Sequence, residues 1–129
     1  MNDEGGMMNE KPRDIGERTK VFALRIIRLY AALPNTTEAQ VIGKQLLRSG
    51  ASVGANIREG KRSRSDAELI SKIEIGLQEL EETLYWLELL VDAEIVKTDR
   101  MKDLLVEADE LTAILVTSAK TLKQRRNRA

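Results

Sequence analysis

At 129 residues the chain is long enough for one domain with a real core and too short for two of ordinary size. It holds no cysteine and no histidine, which removes disulfides, thiolate metal sites, Ser–His–Asp or Cys–His catalysis and the Glu-x-x-His pairs of di-iron bundles. Charged residues reach 33%, Lys/Arg and Asp/Glu balance at 21 each, and only 3% are aromatic, so long helices are favoured over a β-sandwich.

In chain order, residues 1–13 are polar, glycine-containing and aperiodic, and are expected to form a disordered lead. A first helix is expected from Asp14 to about Leu33. Asp14 and Glu17 have capping-box spacing, and Ile15, Phe22, Ile26, Leu29 and Leu33 fall on one face. Pro34 stops it. A second helix is expected from Thr37, with Gln40 completing a capping box, to Arg62. Its core stripe reads Ile42, Leu46, Ser49, Val53 and Ile57, with Lys44, Arg48, Arg58 and Arg62 on the opposite side. Gly43, Gly50 and Gly54 share one flank at about 1 kcal/mol each relative to alanine. Either that flank approaches another helix closely, or the helix breaks near Ser49–Gly54.

Ser65 and Glu68 form a further capping box and open a third helix running to about Ala93, with Leu69, Ile73, Leu77, Leu80, Leu84, Leu87 and Val91 as a nearly strict heptad. Ile75, Trp86, Leu89 and Leu90 lie off that stripe. With Gly43, Gly50 and Gly54 they are the expected subunit contact. A fourth helix, capped by Thr98, is expected to reach about Arg126 on Met101, Leu104, Leu105, Ala108, Leu111, Leu115, Ser118 and Leu122, leaving 127–129 as a basic tail. Four helices with short links predict an all-α, up-down-up-down bundle over 14–126. No leader and no run of about 18 apolar residues is visible, so a cytoplasmic chain with no membrane partner is expected.

The zero net charge hides a block pattern. Residues 1–64 carry 12 Lys/Arg against 7 Asp/Glu, residues 65–94 carry 1 against 9, and residues 95–129 carry 8 against 5. Either the acidic third helix neutralises its neighbours, or a basic surface meets a polyanion. The candidates for phosphate contact are Arg18, Arg25 and Arg28; Lys44, Arg48, Arg58, Lys61, Arg62 and Arg64; and the terminal Lys120, Lys123, Arg125, Arg126 and Arg128. Aromatics for base stacking are few, which favours backbone or shape recognition of RNA or DNA. Asn56 and Glu59 either satisfy backbone groups at the end of the second helix or touch a ligand. An acidic row, Glu74, Glu81 and Glu88, is read as a solvated face or a partner for a basic helix. No catalytic set, metal or cofactor is expected, and the glycines of SGASVGANIREG do not follow a strand as a phosphate loop requires.

The stretch QLLRSGASVGANIREGKRSRS followed by ELISKIEIGLQELEETLYWLELL resembles a bacterial four-helix-bundle family that includes proteins encoded within intervening sequences of the 23S ribosomal RNA gene. The residues carrying the resemblance are Arg48, Ser49, Ser52, Val53, Gly54, Ala55, Asn56, Ile57, Glu59, Gly60, Ser65, Glu79, Glu82, Trp86 and Leu87, with Leu33 and Pro34 upstream. The resemblance covers roughly 18–120. It implies a four-helix bundle assembled as a ring-like homopentamer. It also implies kinship with the accessory protein of diversity-generating retroelements, hence a reverse transcriptase and nucleic acid as possible partners. Ser49, Ser52, Asn56, Glu59 and Gly60 are implied as determinants of the fold. The first reading is therefore a non-enzymatic, oligomeric, RNA-associated scaffold. A reverse-transcriptase accessory subunit and a protein-only scaffold are the alternatives.

Overall fold

A computed structural model of the chain describes residues 14–128. Four helices follow in order: α1 (Ile15–Ala31), α2 (Thr37–Lys61), α3 (Asp66–Asp92) and α4 (Thr98–Arg128). No strand occurs among the described residues. The expected disordered lead at 1–13 lies outside them.

Side-chain caps set the starts of α1, α2 and α3. The Asp14 carboxylate accepts from the Glu17 N–H at 2.8 Å, and the Ser65 hydroxyl accepts from the Glu68 N–H at 3.1 Å, as their spacings predict. The second cap differs by one position. Thr36, not Thr37, accepts from the Ala39 N–H. Gln40 does not close a box there. It takes the Tyr30 hydroxyl at 3.0 Å and donates to the Pro34 carbonyl at 3.1 Å, pinning the α1–α2 turn. α1 ends two residues earlier than expected, because Leu33 and Pro34 belong to that turn. α4 continues through Asn127 and Arg128, which the sequence reading assigned to a tail. α2 is unbroken, so the break near Ser49–Gly54 does not occur.

α3 ends in a Schellman turn. The Glu94 N–H donates to the Val91 carbonyl and the Ile95 N–H to the Leu90 carbonyl, both at 2.9 Å. Glu94 sits there at φ 60°, a left-handed conformation that glycine adopts at least cost.

The helices form a ring in chain order, α1 against α2, α2 against α3, α3 against α4 and α4 back against α1, and the backbones of diagonal pairs stay apart. Short links force this up-down-up-down arrangement. Phe22, Ile26, Leu46, Leu80, Leu87, Leu90, Met101, Leu111 and Leu115 are fully buried between them. Each contributes roughly 1.5–3 kcal/mol of transfer free energy.

Two parts of the expected packing change. The glycine flank meets α1 of the same chain. A Cβ on Gly43 would meet Leu33 and Tyr30, one on Gly50 would meet Ile26, and one on Gly54 would meet Thr19, so all three let α1 lie close on α2 within one chain. On α3 the buried line is Ile70, Ile73, Gly76, Leu80, Thr83, Leu87 and Leu90. The heptad reading shares Ile73, Leu80 and Leu87 with it. Leu69, Leu77, Leu84 and Val91 are half-buried at its edge. Leu90, expected on the second patch, is therefore a core residue.

Candidate nucleic-acid interface

The topology brings the start of α1, the end of α2, the start of α3 and the end of α4 to one pole of the bundle. Two basic clusters some 60 residues apart in sequence meet there: Arg58, Lys61, Arg62 and Arg64 with Lys120, Lys123, Arg125, Arg126 and Arg128. Lys20, which the sequence reading passed over, joins them from α1. Nothing in its local sequence marks it. Its place opposite the last turns of α2 does.

Ion pairs divide the candidate cations into two groups. Arg18 makes a fork across the α1–α4 seam, at 2.7 Å to Glu107 and 2.9 Å to Glu110, and these hydrogen bonds, Glu107 first, raise its pKa further. Arg48 bridges α2 to α3 through Glu82 at 2.6 Å and Glu79 at 3.2 Å. The Arg48 hydrogen bond, and then that of the Trp86 indole N–H, holds the Glu82 carboxyl below its usual range. Lys123 pairs with Glu74 and Arg125 with Asp66, so those two close the α3–α4 seam. Lys61 lies 3.5 Å from an exposed Asp14. The Asp14 carboxyl is itself lowered, chiefly by the Glu17 N–H and then by Lys61.

Among the described residues, Arg25, Arg28, Lys44, Arg58, Arg62, Arg64, Lys120, Arg126 and Arg128 have no carboxylate within 4.0 Å, and neither does Lys20. Arg25, Arg28 and Lys44 are away from the basic pole, near the middle and far end of α1 and α2.

Three of the pole's unpaired cations, Lys20, Arg58 and Arg62, border a groove of about 640 Å³ between α1 and α2, with Lys61 beside them. Its floor is Gly16, Ala23, Ala51, Gly54 and Ala55. The one acid on its edge, Glu59, accepts a 2.7 Å bond from Lys72 of α3.

The motif residues have structural roles. The Ser49 and Thr83 hydroxyls meet at 2.9 Å in the fully buried α2–α3 contact. Ser52 donates to the Arg48 carbonyl, and the Asn56 amide donates to the Ser52 carbonyl. A Cβ on Gly60 would stand 3.1 Å from both the Leu69 Cδ1 and the Lys72 Cβ, where α2 turns into α3.

Of the expected second apolar patch, Trp86 is half-buried against the core and Ile75 and Leu89 remain half-buried. Trp86 meets the exposed Tyr85 edge to face at 5.0 Å. Leu24, Ile27, Val41, Val106 and Val116 are further exposed apolar side chains. Among the described residues no group of three or more acidic side chains is placed to hold a metal ion, and no helix is long and apolar enough to cross a membrane.

A family model described as "23S rRNA-intervening sequence protein" matches residues 13–117. The chain belongs to that family. Its members' description names no reaction. A crystal structure of a protein of unknown function from the S23 ribosomal protein family of Bacteroides thetaiotaomicron is 39% identical, with a TM-score of 0.78, over 82% of this chain and 95% of that one. No curated protein matches the chain. The family assignment agrees with the motif between Arg48 and Leu87, of which Ser49 and Gly60 lie in the α2–α3 contact and Gly54 and Ala55 face α1.

Proposed function

We propose that this chain is a non-catalytic bundle that works as a homo-oligomer and associates with RNA through its basic pole. One observation carries the reading. Folding gathers Lys20, Arg58, Arg62, Arg64, Lys120, Arg126 and Arg128 at one end and leaves them without carboxylate partners among the described residues. Such a surface attracts a polyanion by neutralising phosphates and releasing their counterions. A family description that refers to an intervening sequence of 23S rRNA supports RNA as that polyanion. Exposed Leu24 and Ile27 on α1, with Val106 and Val116 on α4, support burial against further copies.

The test is binding of the purified protein to a structured RNA and a matched DNA across a salt series. Affinity should fall linearly in log salt. Arg58→Gln with Arg62→Gln should lower the slope by about 2, because each phosphate contact contributes about 0.9. Arg125→Gln with Arg126→Gln should lower it by about 1, since Arg125 is already held by Asp66. Light scattering should report a mass above the 14.5 kDa of one chain.

The ion pairs of Arg18, Arg48, Lys123 and Arg125 favour a second reading, a protein-only scaffold whose charges are spent internally. Absence of binding at low salt would establish it over the first.

A further inference from the structure

We infer that the α1–α2 groove is a seat for the sugar–phosphate backbone of base-paired RNA, read without contact to the bases. The inference rests on the RNA association proposed above and assigns it a place and a substrate class.

The floor argues first. Gly16, Ala23, Ala51, Gly54 and Ala55 carry no side chain beyond a methyl group, so a ligand can come down onto the two helix backbones everywhere but over Gly16, where the Lys61 amine already stands. Long cationic side chains on the rim can then fold inward from both sides, Lys20 from α1 and Arg58 and Arg62 from α2. A rim with a full-sized floor would hold a phosphate only at the tips of those side chains.

Charge argues second. Lys20, Arg58 and Arg62 have no carboxylate within 4.0 Å among the described residues, and the edge acid Glu59 is already taken by Lys72. Among the described residues Lys61 is held only by Asp14, at 3.5 Å and with that carboxylate exposed, so it can exchange Asp14 for a phosphate at little cost.

Spacing and composition choose the class. Arg58 and Arg62 are one helical turn apart, about 6 Å along the axis. Successive phosphates of an A-form strand stand at nearly the same separation. Among the described residues no aromatic side chain lines the groove, and no Asn or Gln. A single strand bound without sequence preference uses aromatic stacking platforms, and an adenine edge is read by Asn or Gln. The lining residues include neither. A duplex, whose bases are already stacked and paired, asks for nothing but its backbone to be met.

The experiment titrates the intact protein into three labelled probes at one salt concentration: a fully paired RNA duplex, the DNA duplex of the same sequence, and a polyuridylate strand of the same length. The decisive variant is Ala51→Leu with Ala55→Leu. Both positions are exposed, so the floor is filled with no change of charge or core, and circular dichroism checks that the helix content is kept. The RNA duplex should bind about tenfold tighter than polyuridylate, and the filled floor should weaken duplex binding by about tenfold, as should Arg58→Gln with Arg62→Gln. Lys120→Gln with Arg128→Gln, at the same pole but outside the groove, should weaken it less.

Duplex binding by the filled-floor variant equal to that of the wild type would overturn the assignment while leaving RNA association by the pole intact. Polyuridylate bound as tightly as the duplex would overturn the substrate class, and DNA bound as tightly as RNA would overturn the A-form preference. A fall in particle mass on filling the floor would make the groove a subunit contact and overturn it as a nucleic-acid seat. No binding of any probe at low salt would remove the proposed function itself, and this inference with it.

Discussion

Replacing Gly76 by alanine should stabilise the fold, whereas the same replacement at Gly50 or Gly43 should not, and the difference can be worked from the neighbours of the added methyl group. At Gly76 a Cβ would lie 3.5 Å from the Ile57 Cδ1 and 3.7 Å from the Val53 carbonyl oxygen, which is ordinary contact. Alanine in a helix interior is favoured over glycine by about 1 kcal/mol, and nothing there opposes the gain. At Gly50 the Cβ would stand 3.0 Å from both the Cγ1 and the Cγ2 of Ile26. Ile26 is fully buried and cannot move without disturbing Phe22 and Leu46 around it. Overpacking of that kind costs about 1–3 kcal/mol, so the net change runs from zero to a loss of about 2 kcal/mol. At Gly43 the clash is closer, 2.7 Å to Leu33 and 2.8 Å to the Tyr30 ring, and that ring is tethered through its hydroxyl to Gln40. Urea denaturation at one fixed protein concentration gives the comparison as midpoints at constant m. A Gly76→Ala chain less stable than wild type, or a Gly50→Ala chain gaining as much as Gly76→Ala, would refute the packing argument.

Glu94→Gly should stabilise by about 1 kcal/mol, because it removes a side chain from the left-handed position of the Schellman turn; a melting temperature that falls or stays level would contradict this. Thr83→Val should cost about 1 kcal/mol by removing one of the two hydrogen bonds of the buried Ser49 hydroxyl and leaving it the Leu46 carbonyl, while the double change with Ser49→Ala should cost less than the sum of the two single changes in a denaturation cycle. Glu82 has a folded pKa below its ordinary 4.5, so its stabilising share is complete above that pH and is lost as the pH falls through the lower folded value. Arg48→Met should therefore flatten the acid limb of a stability-versus-pH curve by at most about 1 kcal/mol, the pair being half exposed. An unchanged limb would show that Arg48 does not hold the Glu82 carboxylate.

The four helices were legible because each carries its own signal: an apolar period, and at Asp14 and Ser65 a cap that behaves as spaced. Capping was less legible where two threonines stand side by side, since Thr36 and Thr37 offer the same hydroxyl and only the backbone decides between them. The core of α3 was misplaced for a different reason. Gly76 and Thr83 face α2, at Val53 and Ser49, and a hydrophobic pattern gives no weight to a glycine or a threonine. Leu69, Leu77, Leu84 and Val91 then looked like the natural stripe. The glycine flank was correctly read as close approach, but its partner α1 could not be told from a second subunit without three-dimensional neighbours. Charge was least legible. Arg48 and Arg58 look equivalent in the sequence, yet one is paired with acids 31 and 34 residues away and the other stands open at the pole.

The Arg18 fork has a bearing on the order of events in folding. Ring neighbours α1–α2, α2–α3 and α3–α4 are consecutive in the chain, so each pair can close as a local hairpin at small entropic cost. The α1–α4 seam alone joins distant segments, with Arg18 reaching Glu107 and Glu110 across separations of 89 and 92 residues. It is also the sparsest of the four backbone contacts. A seam of that kind is expected to form after the hairpins and to open before them. Arg18→Met should accordingly accelerate unfolding and leave the refolding arm of the chevron nearly where it was. The fork acts as a latch on lifetime: it sets how long the closed bundle stays closed, while its rate of assembly is written in the turns.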